Sequence, residues 1–363
     1  MKAIVLAGGF ATRLRPLSCT RPKALFPVVN KPLLEWTFER LEKHNIRDVI
    51  MAVNHQTEIA VKEQKIPTHT LRVMYSRDPP RKPLGTGGPI KKAEKLIGHD
   101  SSFLVLNGDI FADVNYTRLL ETHRKTRATA TIALCKVDDP SRFGVAELAK
   151  DNCIRRFFEK PSPEEAPSKL INAGVYAFHP EIFEYMPENR AVSTEREVFP
   201  KLAKEKKLYG YIHSDLWMDI GKPEEYLEIN RILLNRTKGT QNQQASRGSQ
   251  VREPVAIGKA AVIGKRSVIG PNTVLGHDTV VGDDVRIQDS VVFDGAEIDD
   301  STRIQGAIIG GHVKIGKRVS IPKACILGDY VKIRDDVSLA EGVTVCPAKE
   351  ISESVATARN ICC

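Results

Sequence analysis

From Ile257 onward one apolar residue recurs at every sixth position, through Ile263, Ile269, Leu275, Val281, Ile287 and Phe293. Five of them are followed directly by glycine: Gly258, Gly264, Gly270, Gly276 and Gly282. The register slips by one before Ile298 and Ile304, slips again before Ile309, and then runs through Ile315, Ile321, Leu327, Ile333, Leu339 and Val345. An amphipathic helix needs apolar spacing near 3.6 and a half-buried strand needs alternation by two, so neither accounts for a period of six. A period of this kind makes each hexapeptide one short strand and turn of a triangular coil. The apolar residue points into the shaft, and the small residue beside it permits the corner. The pattern predicts a left-handed parallel β-helix over residues 255–350, with a C-terminal tail at 351–363.

The first part of the chain has a different rhythm. Short apolar runs (Ala3–Ala7, Val49–Val53, Leu71–Tyr75, Phe103–Leu106) alternate with amphipathic stretches, including a helix from about Leu33 to Lys43 and another after Pro89. Continuous apolar strands between helices imply a mostly parallel, doubly wound α/β sheet of Rossmann-like type, covered on both faces. Beyond Asn107 the segments Thr129–Lys136, Gly144–Leu148, Ile154–Glu159 and Asn172–Phe178 predict a mixed extension of that sheet. A helix is expected over Thr194–Lys204, a strand over Leu208–His213, and a further helix starting at Pro223, a favoured first helical residue. Between Asn235 and Pro254 the sequence is rich in Asn, Gln, Ser, Thr, Arg and Gly and cannot build a core. The expected organisation is therefore a domain at 1–235, a linker at 236–254 and the β-helix. A chain of 363 residues also exceeds the usual size of a single hydrophobic core.

No apolar run near the N-terminus is long enough to cross a bilayer, and no cleavage signal follows it, so a cytoplasmic protein is expected, without membrane partners. Seven cysteines, odd in number and scattered, argue against a disulfide framework, and Cys362 with Cys363 reads as a frayed end. A surplus of nine positive charges suits polyanionic ligands. Because Lys and Arg are interspersed with Asp and Glu, without a basic block or an aromatic-studded stripe, small phosphorylated ligands fit better than nucleic acid.

The chemistry-bearing residues collect where the predicted strands end. Strand Ala3–Ala7 runs into Gly8 and Gly9, then Thr12, Arg13, Leu14, Arg15 and Pro16, and further on Arg21, Pro22 and Lys23. In an open α/β sheet ligands bind outside the carboxyl ends of strands. There, glycines let backbone N–H groups approach phosphate oxygens, and Arg13 and Lys23 supply fixed positive charge. This loop is neither a Rossmann fingerprint nor a Walker A loop. Strand Phe103–Leu106 likewise runs into Asn107, Gly108 and Asp109, a tripeptide that is by itself ordinary turn chemistry.

Residues Leu6–Leu17 with Arg21–Leu25 resemble the signature of sugar-nucleotide pyrophosphorylases, Gly-Gly-x-Gly-Thr-Arg-Leu-Arg-Pro-Leu followed by Pro-Lys-Pro. Ala11 stands where that family usually has glycine, which matters if the position needs positive φ, and Ala24 where it often has proline. The resemblance continues through Pro83–Ile90, Phe158–Pro161, Ile171–Tyr176, Ser193–Pro200 and Trp217–Pro223, and it is strongest to the mannose-1-phosphate guanylyltransferases. It implies a GT-A-type nucleotidyltransferase domain that joins a nucleoside triphosphate to a hexose 1-phosphate, most simply GTP and mannose 1-phosphate, releasing pyrophosphate.

It also implies roles. Leu6, Ala7, Gly8, Gly9, Arg13, Lys23, Gly85, Thr86 and Gly108 would bind the nucleotide, with Gly85 and Thr86 near the base. Gly144, Glu159, Lys160, Asn172 and Gly174 would bind the sugar phosphate, Gly144 by letting the sugar approach the backbone. Asp109 and Asp219 would ligate Mg²⁺, whose preference is for hard carboxylate oxygens and bridged phosphates. Arg13, Lys23 and Lys160 would be catalytic, and Trp217 core packing. Three alternatives stay open: a thymidylyl- or uridylyltransferase acting on glucose 1-phosphate, a non-catalytic regulatory subunit, and an acyltransferase using His277 or His312 among the repeats. The flat faces of a β-helix favour subunit contacts, so a homo-oligomer is expected.

Overall fold

A computed structural model describes residues 1–9, 11–79, 84–188, 190–237 and 248–362. Phe10 of the glycine loop, Pro83 of the third motif, most of the expected linker and Cys363 lie outside the described residues. The chain forms two compact units, one of Met1–Gly9 and Leu33–Asp219, the other of Phe10–Pro32 and Ile220–Cys363.

In the first unit the strands of the main sheet are β1 (Lys2–Leu6), β2 (Asp48–Val53), β3 (Arg72–Arg77) and β4 (Phe103–Asn107), followed after a short β5 (Ile110–Ala112) by β6 (Ala130–Lys136), β7 (Gly144–Leu148), β8 (Ile154–Glu159), β9 (Leu170–Phe178) and β10 (Leu208–Ile212). A last short strand, β11 (Trp217–Asp219), pairs with β5 alone. The order β4-β1-β2-β3 is parallel throughout, so the chain builds outward from β1 through β2 and β3 and then returns to the other side of β1. That reversal is a topological switch point, and it lies between β1 and β4. Beyond β4 the sheet turns mixed: β9 is antiparallel to β4 and β6, β7 is antiparallel to β8 and β9, and β10 is parallel to β6. The central parallel strands are buried, with Ile4, Ile50 and Val105 in one core that Tyr176 of β9 joins, whereas the edge strand β3 is only partly covered. Helix α1 (Leu33–Lys43) turns Leu33, Leu34, Phe38 and Leu41 inward. The segment expected as one helix from Thr194 begins instead as a π-helical turn, Thr194–Val198, before α-helix Phe199–Lys204.

In the second unit the repeats form three parallel sheets of five, seven and six strands, the faces of a left-handed β-helix. Ile257 pairs with Leu275 and Ile263 with Val281, so three hexapeptides close one coil. The ladder extends past residue 350 in both remaining sheets, with Glu350–Ile351 on Lys332–Ile333 and Asn360–Ile361 on Thr344–Val345. Two expectations are corrected. The glycine after the inward residue does not make the corner at Gly258, Gly264, Gly276 or Gly282, and of the five only Gly270 has positive φ. A Cβ on Gly258 would lie 2.4 Å from the backbone of Gly276 on the next coil, so glycine is there for close stacking. The left-handed turn falls two residues later, on Ala260, Arg266, Asn272, Asp278 and Asp284. Phe293 does not belong to the shaft series either. Val292 fills that place, opposite Leu275 and Ile309, and Phe293 takes the outward column beside it.

The expectation of no disulfide is also corrected, since Cys346 is bonded to Cys362. Register brings the two together: Val345 pairs with Ile361, so their following residues sit on adjacent rungs.

Inward and outward columns should differ sharply in energetic weight. Leu327, fully buried in the shaft, should cost about 3 kcal/mol when replaced by Ala. Val262→Ala, at a side chain 51% exposed, should change stability by no more than about 0.5 kcal/mol. Denaturant unfolding of both variants checks this.

Candidate active site

At the switch point, β1 ends against both neighbours. Ala7 N–H donates to Ala52 O at 2.9 Å, and Asn54, which caps the helix His55–Gln64 through Thr57 N, donates its side-chain amide to Gly8 O at 2.9 Å. On the other side Gly108 N–H donates to Leu6 O at 2.8 Å, and a Cβ on Gly108 would lie 2.8 Å from that same oxygen. Leu6, Ala7, Gly8 and Gly108 are therefore gathered at one pair of strand tips, while Gly9 has open space around it. Asp78, at the end of β3, belongs here too: its Oδ2 would lie 3.1 Å from a Cβ on Gly8, and its Oδ1 is buried without a hydrogen-bond partner among the described residues. Burial pushes its carboxyl above the ordinary range, partly offset by Lys92.

Asp109 follows Gly108 directly and enters β5, whose partner β11 sets Asp219 opposite Ile110. Two carboxylates far apart in sequence thus stand one residue apart in register. Asp219 Oδ2 also faces Arg142 Nη2 at 3.9 Å. Among the described residues no group of three or more His, Cys, Asp or Glu is arranged to hold a metal. A pair of hard oxygen donors fits a cation that completes its shell with water and substrate phosphates better than one needing a full protein cage.

The residues expected to bind sugar cluster around β8 and β9. Asn172 Oδ1 accepts from Gly174 N–H and its amide donates to Tyr176 Oη, each at 2.9 Å. Between Asn172 and Tyr176 the pairing of β9 with β6 shifts register, and Gly174 sits in that shift at φ 70°, where a Cβ would lie 2.5 Å from Ile110. Glu159 ends β8, and Lys160 follows with φ 53°, a left-handed conformation unfavourable for lysine, its N–H held by Phe143 O. The Lys160 side chain is 59% exposed, with Nζ 3.9 Å from Glu159 Oε1. At Gly144 the place of a Cβ is taken by Phe157 Cζ at 2.4 Å, with Glu159 Oε2 at 3.1 Å, so packing of that ring is one reason for glycine there. Trp217 is only half-buried, and it donates its indole N–H to Ala173 O in the shifted stretch of β9.

Gly85 has φ 70°, and its Cβ would lie 2.3 Å from Val192 O. Beside it, Thr86 Oγ1 donates to Glu195 Oε2 at 2.6 Å and accepts from Thr194 N–H at 3.0 Å. Glu195 is the residue that sequence reasoning missed. It joins this loop to the sugar cluster, because the Glu159 carboxyl is raised above its ordinary value first by burial and then by Glu195, with Lys160 and Arg196 opposing. Its signal was available: Glu195 lies in the motif Ser193–Pro200, on a π-helical turn, a distortion frequent at functional sites. Asn107 and Tyr176 were missed as well; the Tyr176 hydroxyl, fully buried, receives Asn107 and Asn172.

Arg13 and Lys23 belong to the second unit. Arg13 is exposed on the turn Thr12–Leu14, and Lys23, 6% exposed, lies on the turn Lys23–Leu25. Ala11, just before the first of these turns, has φ 45° and ψ 43°, so the position does require the left-handed region that glycine would occupy without strain.

With this geometry in place the comparisons are decisive about class. The nucleotidyl transferase family matches residues 2–236, and the GMPPB C-terminal domain matches residues 251–361. The chain belongs to the nucleotidyl transferase family. Within it, the chain is a member of the mannose-1-phosphate guanylyltransferases. It is 39% identical over 358 residues to a mannose-1-phosphate guanyltransferase of Eremothecium gossypii, covering 98% of each chain. It is 37% identical to mannose-1-phosphate guanylyltransferase catalytic subunit beta of Drosophila pseudoobscura pseudoobscura, covering 98% of this chain and 95% of that one. Among solved structures, HddC from Yersinia pseudotuberculosis complexed with GMP-PN is 26% identical with a TM-score of 0.53, covering 64% of this chain and 99% of that one. A UDP-glucose pyrophosphorylase from Acinetobacter baumanii shares the fold, at 20% identity and a TM-score of 0.56, covering 65% and 93%. The family acts on nucleoside triphosphates and sugar 1-phosphates and generally uses a divalent metal. Among the described residues no helix is long and apolar enough to cross a membrane.

Glu159 ties stability to pH. Its raised carboxyl keeps a proton in the folded chain where the unfolded chain has lost it, so its contribution favours folding at low pH and is lost as pH rises from its ordinary value of 4.5 through the raised one. Glu159→Gln should therefore stabilise the ligand-free protein at neutral pH, by thermal unfolding, while lowering kcat/KM for the sugar phosphate about tenfold or more. Less stable protein at pH 7 would contradict the sign.

Proposed function

We propose that this chain transfers a guanylyl group from GTP to mannose 1-phosphate, giving GDP-mannose and pyrophosphate. The observation that carries the reading is the register setting Asp219 opposite Ile110, beside Asp109, at the strand tips that also hold the Gly8 turn. Likeness to mannose-1-phosphate guanylyltransferases over nearly the whole chain supports the choice of nucleotide and sugar.

In this reaction an oxygen of the sugar phosphate attacks the α-phosphorus of GTP. A phosphorus–oxygen bond forms, the bond to the bridging oxygen breaks, and pyrophosphate leaves with its electron pair. The attacking oxygen is already ionised at neutral pH, so no general base is needed and catalysis reduces to in-line positioning and charge neutralisation. Two phosphorylated anions repel strongly in a water-poor site. Asp109 and Asp219 would hold Mg²⁺, whose charge when bound offsets that repulsion. Glu159 and Asn172 take the sugar hydroxyls, and Lys160, held in place by its strained backbone, orients the attacking phosphate. Gly85 and Thr86 meet the base, while Leu6, Ala7, Gly8, Gly9 and Gly108 offer backbone N–H groups and close approach. The signature motif assigns Arg13 to the departing pyrophosphate and Lys23 to the triphosphate. The flat faces of the β-helix are assigned to contact between copies of the chain in a homo-oligomer.

Pyrophosphate release should be measured with GTP, ATP, UTP and dTTP against mannose 1-phosphate and glucose 1-phosphate. GTP with mannose 1-phosphate is expected to lead by at least about 100-fold in kcat/KM; a pyrimidine nucleotide with glucose 1-phosphate in the lead would overturn the reading. Lys160→Ala should lower kcat by about 100-fold, and near-normal turnover would remove Lys160 from the scheme.

A further inference from the structure

The outward corners of the β-helix repeat one polar device. A side chain on one coil accepts a hydrogen bond from the backbone N–H of the coil before it: Asp283 Oδ1 from Lys265, Asp300 Oδ1 from Asp283, Asp294 Oδ1 from His277 and Asp335 Oδ1 from Lys317, all at 2.7 to 2.9 Å. Asp329 does the same for Gly311 N–H at 2.7 Å. None of the other four carboxylates is buried, whereas Asp329 is 5% exposed. Its second oxygen is covered by the glycine-loop segment of the same compact unit. Thr20 Oγ1 donates to Asp329 Oδ2 at 2.8 Å, and Arg21 Nη2 lies 3.8 Å from that oxygen.

The surroundings of this contact are built for it. Gly311 stands on the coil below Asp329, and a Cβ there would press to 3.3 Å from Arg21 Nη2. Phe293, displaced from the shaft into the outward column by the 17-residue coil, receives the Arg21 guanidinium over its face at 5.1 Å and the Phe26 ring edge-on at 6.3 Å. Asn30 donates to Leu275 O at 2.7 Å. The segment from Thr20 to Asn30 is thus fastened at four points to the β-helix, and Lys23 lies between the first two and the last two.

We propose that Asp329 is a positioning residue for the glycine-loop segment: its second carboxylate oxygen, by holding Thr20 and Arg21, fixes the turn that carries Lys23 and so sets how the triphosphate is bound. This rests on the assignment of Lys23 to the triphosphate made above. On this account the β-helix takes part in the transferase reaction through one side chain whose second oxygen the repeat itself does not use. Asp329 touches neither substrate; it acts through Thr20 and the turn.

The test is a double-mutant cycle of Thr20→Val and Asp329→Asn in the full chain. Thr20→Val leaves the β-helix ladder untouched, and the Asn side chain keeps an oxygen for Gly311 N–H. Each single variant should raise KM for the triphosphate about tenfold, leave KM for the sugar phosphate within about twofold, and keep the wild-type melting temperature within a few degrees. The double variant should be no worse than the poorer single one. Hydrogen exchange of residues 11–25 should quicken in both singles, a readout that stands whatever the substrates prove to be. Unchanged triphosphate KM and unchanged exchange in Thr20→Val, or losses that multiply in the double variant, would overturn the proposal. Quickened exchange together with wild-type inactivity toward GTP and mannose 1-phosphate would instead count against the proposed reaction and spare the contact.

Discussion

One backbone hydrogen bond, from Gly108 N–H to Leu6 O, locks the two strand tips on which the site is built. It can form only because β4 returns to the far side of β1 after β2 and β3 have been laid down, and only because residue 108 has no side chain. A methyl group at that place would meet the accepting oxygen at 2.8 Å. From this lock the rest follows in order. Asp109 leaves the sheet at a fixed point, β5 starts at once, and β11 can meet β5 in the register that brings Asp219 alongside.

The polar cluster beyond the lock is organised around burial of like charges. Burial first and Glu195 second raise the proton affinity of Glu159, and the charges of Lys160 and Arg196 oppose them. Such an arrangement is costly in the empty protein and useful to a ligand bearing hydroxyls and a phosphate, which can bond the carboxylate and offset the exposed cation. The strained backbone at Lys160 and the register shift around Gly174 belong to the same trade, since both sit where the substrate is proposed to lie.

Much of this was legible in the sequence, and the failures have physical causes. Strand positions in both units followed from apolar runs and from the six-residue period because burial enforces them. Phe293 was misassigned to the shaft because Val292 and Phe293 are both apolar and only the 17-residue coil decides which points inward. The Cys346–Cys362 bond escaped notice because its pairing depends on stacking of coils rather than on spacing along the chain. At Gly144 the structure adds a packing reason for glycine, the Phe157 ring, that the sequence does not reveal. The proposed pairing of Asp109 with Asp219 rests on motif resemblance, and what the antiparallel register adds is that Asp219 lies opposite Ile110, the residue after Asp109. Glu195 lay inside a motif that had been noticed but given no chemistry, since nothing local reveals that its carboxylate reaches Thr86.

In the proposed reaction Asp219, at the end of β11, and Asp109, in the turn just before β5, share one cation with the substrate phosphates. The most direct measurement is anomalous scattering from crystals soaked with Mn²⁺ and GDP-mannose. A single ion is expected within about 2.0–2.4 Å of an oxygen of Asp109, an oxygen of Asp219 and a phosphate oxygen. An ion bound elsewhere, or touching only one of the two carboxylates, would contradict it.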